Sequence, residues 1–120
     1  MSQNLITEAR RAHIRDYKQA FPRMGVYAVR NPQTRHAWLG ASRDVDGVLN
    51  RIRFELRQRS HRNQSLMREW LQFGPDAFVF EVLDRVKPRD DPAFDYEAEL
   101  QQLLALWQAE VGAQSEGAAP

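Results

Sequence analysis

MGVYAVRN at residues 24–31 and AWLGAS at residues 37–42 are the two short apolar runs that decide the fold of this chain. The first run alternates, with Tyr27 and Val29 on one face and the residues beside them on the other, which is typical of a strand. The residues between the runs begin with an Asn-Pro pair at 31–32, which favours a turn. We therefore predict an antiparallel hairpin in which the second run returns beside the first.

Hydrophobic spacing outside the hairpin predicts four helices and a third strand. The predicted elements are a helix over 3–20, a helix from Ser42 or Asp44 to about Arg59, a helix from Asn63 or Ser65 to Gly74-Pro75, a strand over 77–83 and a helix from Asp95 to about Val111. This order predicts an α+β fold: a small three-stranded antiparallel sheet flanked by helices, with an added N-terminal helix. We assign that helix to residues 1–22, the domain to 23–111, and a small, polar and disordered tail to 112–120.

The composition narrows the class of protein. A chain of 120 residues fits one domain with a real core. It contains no cysteine, which excludes disulfides and thiolate metal sites. No apolar run is long enough to cross a membrane, and residues 1–15 lack the apolar stretch of a signal peptide. We therefore expect a cytoplasmic protein that does not bind membranes.

The net charge of +1 hides an asymmetry along the chain. Residues 43–62 contain six arginines and three acidic residues, whereas residues 84–110 contain seven acidic and three basic residues. Clustered arginines suit an anionic partner such as nucleic acid, because they contact phosphates and release counterions. An ordinary solvated helix face has the same composition, so the charge alone does not decide between the two.

Four motifs in order make the chain from Gly25 to about Trp107 similar to the GIY-YIG nuclease family. The first two are GVY at 25–27 and WLG at 38–40, in the two hairpin strands. The third is HRNQSLMREWLQFG at 61–74, which resembles the family's His/Asn-rich segment. The fourth is PDAFVFEVL at 75–83, which resembles its third strand.

The resemblance implies a DNA endonuclease that hydrolyses phosphodiester bonds with a divalent cation, Mg²⁺ or Mn²⁺. Such chemistry needs an activated water, a cation near the phosphate and charge compensation for the leaving oxygen. Tyr27 occupies the place of the tyrosine that is held to activate the water. Trp38 replaces the second tyrosine of the family; its indole N–H can donate a hydrogen bond, but the ring cannot relay a proton. For both residues a structural role in the sheet or core remains the alternative.

Two family positions are altered in this sequence. The position of the family's arginine falls on Val48, and that of its metal-binding glutamate falls on Leu104. Arg51 lies one helical turn after Val48 and is a candidate replacement for the cation. Glu97 lies two turns before Leu104 and is a weak candidate for the metal ligand. The family also has an asparagine beyond its last helix, and residues 112–120 contain no match for it. Because of these differences we predict reduced or lost cleavage.

The remaining candidates concern binding. His61 matches a family position near the substrate, with a loop or capping role as the alternative. The predicted nucleic-acid-binding residues are Arg43, Arg53, Arg57 and Phe54. Phe54 lies on the outer face of its predicted helix among arginines, where it could stack on a base or pack against the N-terminal helix.

Three hypotheses about function follow from these residues. The first is a divergent endonuclease with a rearranged site that contains Tyr27, Arg51 and His61. The second is a non-catalytic nucleic-acid-binding module, with DNA the expected partner rather than RNA. The third is a protein-interaction scaffold whose N-terminal helix contacts a protein partner.

Overall fold

A computed structural model describes residues 23–116 of the chain. Its elements, in chain order, are β1 (Gly25–Asn31), β2 (His36–Ser42), α1 (Val45–Arg57), α2 (Gln64–Phe73), a 3-10 turn (Pro75–Ala77), β3 (Val79–Arg85), α3 (Tyr96–Val111) and β4 (Gln114–Ser115). The predicted N-terminal helix at 1–22 and the last four residues of the predicted tail lie outside the described residues. No helix within 23–116 is long and apolar enough to cross a membrane.

The sheet has β1 at its centre. The strand order is β3-β1-β2-β4, with β1 antiparallel to both β2 and β3. The predicted three-stranded antiparallel sheet is therefore confirmed. The two-residue strand β4, which the sequence analysis did not predict, pairs with β2 in the parallel direction.

Helices cover both faces of the sheet, and the alternation of β1 decides which residues meet which helix. Tyr27 and Val29 pack with α1 and α2 in the larger core cluster, while Val26 and Ala28 pack on the other face with α3. The predicted division of β1 into two faces is confirmed. Both faces are buried because each meets its own apolar helix face.

The first core cluster joins the two helices that follow the hairpin. Its fully buried members from the helices are Val45, Ile52, Leu56 and Leu66. Val45, Ile52 and Leu56 on α1 follow one another after seven and four residues, which is two turns and one turn of the apolar helix face from which the sequence predicts α1. The α1 helix therefore lies across the sheet face that carries Tyr27.

Side-chain caps fix where the helices begin. The carboxylates of Asp44 and Asp95 accept backbone N–H bonds at the starts of α1 and α3, and the amide oxygen of Asn63 accepts one at the start of α2. These residues satisfy N–H groups that have no partner within the helix. Of the alternatives predicted, Asp44 and not Ser42 caps α1, and Asn63 and not Ser65 caps α2. The predicted start of α3 at Asp95 is also observed.

The structure differs from the prediction at two places. Strand β3 begins two residues later than predicted, because Pro75–Ala77 form a 3-10 turn after Gly74. The tail predicted to be disordered from Gly112 instead forms β4 and continues to a buried Glu116. The tail is ordered because residues 114–115 pair with the edge of β2, an interaction that the composition of the tail does not predict.

Candidate active site

Tyr27 and Gly40 are directly opposed on β1 and β2 and define the floor of the candidate site. The ring of Tyr27 crosses over Gly40 so closely that a Cβ atom there would overlap the phenolic oxygen and the ring carbons beside it. Position 40 therefore requires glycine, because the ring of Tyr27 leaves no room for a Cβ atom there. A register shift between β1 and β3 at Val26 and Tyr27 lies next to this contact, and such irregularities re-aim side chains.

A carboxylate binds the Tyr27 hydroxyl. Tyr27 Oη donates a hydrogen bond of 2.6 Å to Oε2 of Glu116, a residue 89 positions away in the sequence. The other carboxylate oxygen of Glu116, Oε1, lies 2.6 Å from Nε2 of His61. Both residues are buried, with Glu116 4% and His61 6% exposed. One carboxylate thus joins a sheet tyrosine to a loop histidine.

The hydrogen bonds of His61 identify its tautomer. The backbone N–H of Asn63 donates to Nδ1 of His61 at 3.1 Å, so Nδ1 carries no proton. Nε2 therefore carries the proton of a neutral imidazole and donates it to Glu116. His61 consequently acts as a donor to the carboxylate in this arrangement.

The tail reaches the site because the chain reverses after α3. Gly112 has a left-handed backbone, with φ of 62° and ψ of 37°, and ends the helix. Residues 114–115 then pair with β2, and the backbone N–H of Glu116 donates to the carbonyl of Leu39 at 2.8 Å. The amide of Asn63 donates to the backbone carbonyl of Glu116 at 2.9 Å. The position of the carboxylate is thus fixed through both its backbone and its side chain.

An open cleft of about 360 Å³ adjoins the Tyr27–Glu116 pair. It lies between β2, α1 and α3, and two arginines, Arg51 and Arg62, contribute to its wall. The full lining is Tyr27, Gly40, Ala41, Ser42, Val48, Arg51, Arg62, Gln101, Leu104 and Glu116. The cleft therefore combines a phenol, a carboxylate and two cations, and two guanidinium groups in its wall suit an anion such as phosphate.

Burial and the carboxylate keep Tyr27 neutral. Burial is the largest cause that raises the pKa of Tyr27 far above its ordinary value, and the hydrogen bond to Glu116 and the charge of that residue raise it further. For Glu116, burial acts toward a higher pKa. Hydrogen bonds from His61 and Tyr27 outweigh it and hold the pKa below its usual range. The pair is therefore a phenol beside a carboxylate.

Both altered family positions border this cleft. Val48 and Leu104, where the resemblance places an arginine and a glutamate, are half-buried residues of its lining. Arg51 lies one turn after Val48 on the same wall, and its charge lowers the pKa of both Tyr27 and Glu116. Glu97 does not line the cleft and instead pairs with Arg43 at 3.6 Å. The carboxylate beside Tyr27 is thus Glu116.

Trp38 supports the site from within the core. It is fully buried, and its indole N–H donates to Ser65 Oγ at 2.9 Å. Ser65 Oγ in turn donates to the amide oxygen of Asn63, the same amide whose nitrogen binds the carbonyl of Glu116. Hydrogen bonds through the side chains of Ser65 and Asn63 therefore link the indole to Glu116 in the wall of the cleft.

The predicted nucleic-acid-binding residues lie in several places. Arg53 and Arg57 are about 160° and 120° around α1 from Arg51, at about 100° per residue. Arg53 lies over the ring of Phe80, 4.6 Å from its centroid. Phe54 is 62% exposed within the described part of the chain. Of the arginines on α1, Arg51 is thus the one that lines the cleft.

A metal ion held by protein ligands does not fit these residues. No group of three or more His, Asp or Glu side chains within 23–116 is arranged to hold a cation. Both oxygens of Glu116 already accept hydrogen bonds from Tyr27 and His61. A Mg²⁺ ion that took most of its ligands from phosphate and water would need fewer protein ligands, often only one or two carboxylates.

Sequence reasoning missed three residues of the site. Glu116 lies in the tail, for which the sequence predicts disorder. The signal that could have identified it is that it is the one ionisable side chain in 112–120. The sequence predicts Asn63 as a helix start and Arg62 as part of the basic segment, and both belong to the motif at 61–74, but it assigns neither residue a role in the site. A search for any polar group beyond α3, in place of asparagine alone, would have found Glu116.

The comparisons with known proteins identify the fold. The solved catalytic domain of the homing endonuclease I-TevI superposes with a TM-score of 0.61 at 17% identity, covering 74% of this chain and 88% of that domain. A point variant of the same intron-endonuclease domain superposes with a TM-score of 0.60 at 17% identity, covering 75% and 84%. No protein-family model matches the chain, and no curated protein sequence matches it. The chain has the GIY-YIG catalytic-domain fold.

Proposed function

We propose that this chain is a nuclease domain that hydrolyses DNA phosphodiester bonds through a rearranged site, at a reduced rate. The observation that carries the proposal is that Arg51 and Arg62 line the same cleft as Tyr27, whose hydroxyl is bound to Glu116. The cleft brings a cationic wall, a proton-transferring hydroxyl and a buried carboxylate together on the fold of an endonuclease catalytic domain.

The chemistry of phosphodiester hydrolysis matches these groups. The transition state gathers negative charge on the phosphate oxygens, and guanidinium groups stabilise that charge most strongly where water is partly excluded. The attacking water must lose a proton, which requires an acceptor at hydrogen-bond distance. Arg51 and Arg62 supply the first function, and the Tyr27–Glu116 pair supplies the second.

The reduced rate follows from the two altered family positions. Val48 and Leu104 present apolar side chains to the cleft where a cation and a carboxylate would otherwise stand. Arg51 reaches the cleft from one turn further along α1, and Glu116 reaches it from the tail. The described residues contain no group of three or more side chains that could hold a metal ion, and the protein groups that act in the proposed reaction are the two arginines and the Tyr27–Glu116 pair.

The test is cleavage of supercoiled plasmid DNA by the purified full chain, with and without Mg²⁺ or Mn²⁺. We expect slow nicking that falls about 10²-fold or more in Tyr27→Phe and in Arg51→Ala, since one proton-transfer group or one charge-stabilising donor contributes about that much. Arg68→Ala is the matched control, because it removes the same charge from an exposed position on α2 that does not line the cleft. Equal losses in Arg51→Ala and Arg68→Ala would contradict a local role for Arg51.

A parallel binding measurement distinguishes the rival function. DNA retained by the protein without nicking in any divalent cation would overturn the nuclease and favour a non-catalytic nucleic-acid-binding module. That module predicts retention that weakens with salt and with Arg53→Ala and Arg57→Ala. Duplex RNA of matched length tests the expected preference for DNA, and equal retention of both would contradict it.

A further inference from the structure

The Tyr27 hydroxyl cannot act alone as the base that activates water. Its proton is donated to Glu116 Oε2 at 2.6 Å, and the ring is buried. Ionising Tyr27 would place a phenolate directly beside a carboxylate, and the surroundings of the ring oppose this. A base that works near neutral pH through this residue therefore needs a second group to take the tyrosine proton.

We propose that Glu116 is that group, so that the proton of the attacking water leaves through Tyr27 to the tail carboxylate. The O–H bond of the water breaks as its oxygen bonds to phosphorus, and the released proton bonds to Tyr27 Oη. The original hydroxyl proton of Tyr27 moves to Glu116 Oε2. The bond from phosphorus to the leaving sugar oxygen breaks, and that oxygen takes a proton from solvent. Glu116 then returns its proton to solvent. This inference rests on the proposed nuclease function.

The surroundings of Glu116 suit a proton acceptor. His61 donates to Oε1 and Tyr27 to Oε2, so the carboxylate is ionised and oriented before substrate arrives. The charge of Arg51 favours the ionised form, and Oε1 of Glu55 lies 3.9 Å from Nε2 of His61, the nitrogen that donates to Glu116. Arg62 is the remaining charged residue of the cleft wall. Because His61 is neutral and donates through Nε2, it can hold the carboxylate in both protonation states.

The relay predicts a distinctive dependence on pH. A phenolate base would make the rate rise about tenfold per pH unit up to the pKa of the phenol, because only the ionised fraction reacts. In the relay, Tyr27 is protonated and Glu116 is ionised throughout the neutral range. The rate of the unaltered protein is therefore expected to be flat between about pH 6 and pH 9, and to fall only in the acidic range where carboxylates titrate.

The experiment measures single-turnover nicking of supercoiled plasmid with Mg²⁺ across this pH range. Glu116→Gln keeps the size of the side chain and is expected to lose about 10²-fold or more in rate. Its remaining activity should rise with pH, because it must proceed through the phenolate. Glu110→Gln, an exposed position on α3, is the matched control for loss of one negative charge. It should keep the rate and flat profile of the unaltered protein.

Chemical rescue separates proton transfer from structural support. Formate added to Glu116→Ala should raise the nicking rate in proportion to its concentration, and should have no effect on Tyr27→Phe. Circular dichroism and DNA retention of each variant establish that it is folded. A folded Glu116→Ala that formate does not rescue would overturn the relay.

The remaining outcomes separate the relay from the nuclease itself. If Glu116→Gln cleaves as fast as the unaltered protein while Tyr27→Phe does not, the relay is wrong and the nuclease stands. Faster cleavage by Glu116→Gln would also overturn the relay, because the carboxylate would then be excluding the substrate phosphate. No cleavage by the unaltered protein would overturn the proposed function and the relay with it.

Discussion

Gly40 and Tyr27 are cross-strand partners whose contact leaves no room for a Cβ atom at position 40. The glycine that ends the second hairpin motif therefore determines where the tyrosine of the first motif lies. The two motifs form one structural unit, in which one strand supplies the hydroxyl and the other supplies the space over which its ring passes.

Gly40→Ala is expected to displace Tyr27 and to lower both stability and nicking. Overpacking of a well-packed core costs about 1–3 kcal/mol, measurable as a lower midpoint of urea unfolding. In Tyr27→Ala the overlapping ring is absent, so adding Gly40→Ala there should cost much less. If Gly40→Ala lowers the free energy of unfolding by the same amount with and without the Tyr27 ring, the overlap with that ring is not the cause, and the prediction is contradicted.

Stability should depend on Glu116 in acid. The folded-state pKa of Glu116 lies below its unfolded value, so the unfolded chain binds this proton first as the pH falls. The contribution of Glu116 is therefore fully present above the unfolded pKa and is lost as the pH falls through the folded one. Unfolding free energies of the unaltered protein should decline more steeply below about pH 4 than those of Glu116→Gln. Parallel declines would contradict the prediction.

Ionisation of Tyr27 can be followed by tyrosinate absorbance in a background that carries Tyr17→Phe and Tyr96→Phe. Burial and Glu116 both oppose the phenolate, so Tyr27 should not ionise before the protein unfolds in alkali. Adding Glu116→Gln removes the neighbouring charge and should lower the pKa of Tyr27 while burial still holds it above the ordinary value. An unchanged titration would mean that the two side chains do not interact in solution.

Asn63→Ser tests how the tail is held. Serine is a good N-cap and preserves the start of α2, but its short side chain cannot reach the backbone carbonyl of Glu116. We expect faster amide hydrogen exchange at Glu116, slower nicking and a loss of about 1 kcal/mol in unfolding free energy. Asn63→Ala, which also removes the cap, should lose about 1 kcal/mol more. Exchange at the rate of the unaltered protein in Asn63→Ser would contradict this role.

The sheet and helices could be predicted from the sequence because each element has its own local signal. The alternation around Tyr27 fixed both faces of β1, and the acceptors at Asp44, Asn63 and Asp95 marked the helix starts. Alignment to the family motifs also placed Val48 and Leu104 beside Tyr27, where both line the cleft. The strand faces and helix starts depend on residues that are close in the sequence, and the positions of Val48 and Leu104 depend on the resemblance to the family.

The carboxylate could not be predicted in the same way. Strand β4 has two residues, too few for any alternation to be detected, and the residues around Glu116 are small and polar. The order of this segment comes from β2 and Asn63, which are distant in the sequence. Reasoning from local composition therefore placed the only candidate carboxylate on α3, at Glu97, where the structure shows a surface ion pair with Arg43.

Pairing of β4 with β2 has a consequence for solubility. Residues 114–115 cover backbone groups of β2 beside Trp38 and Leu39, and an uncovered sheet edge is a template for pairing with other chains. If the tail detached, the protein would lose Glu116 from the cleft and expose that edge in the same event. Inactivation and self-association would then have a common origin, and substitutions that loosen the tail would be found among aggregating variants.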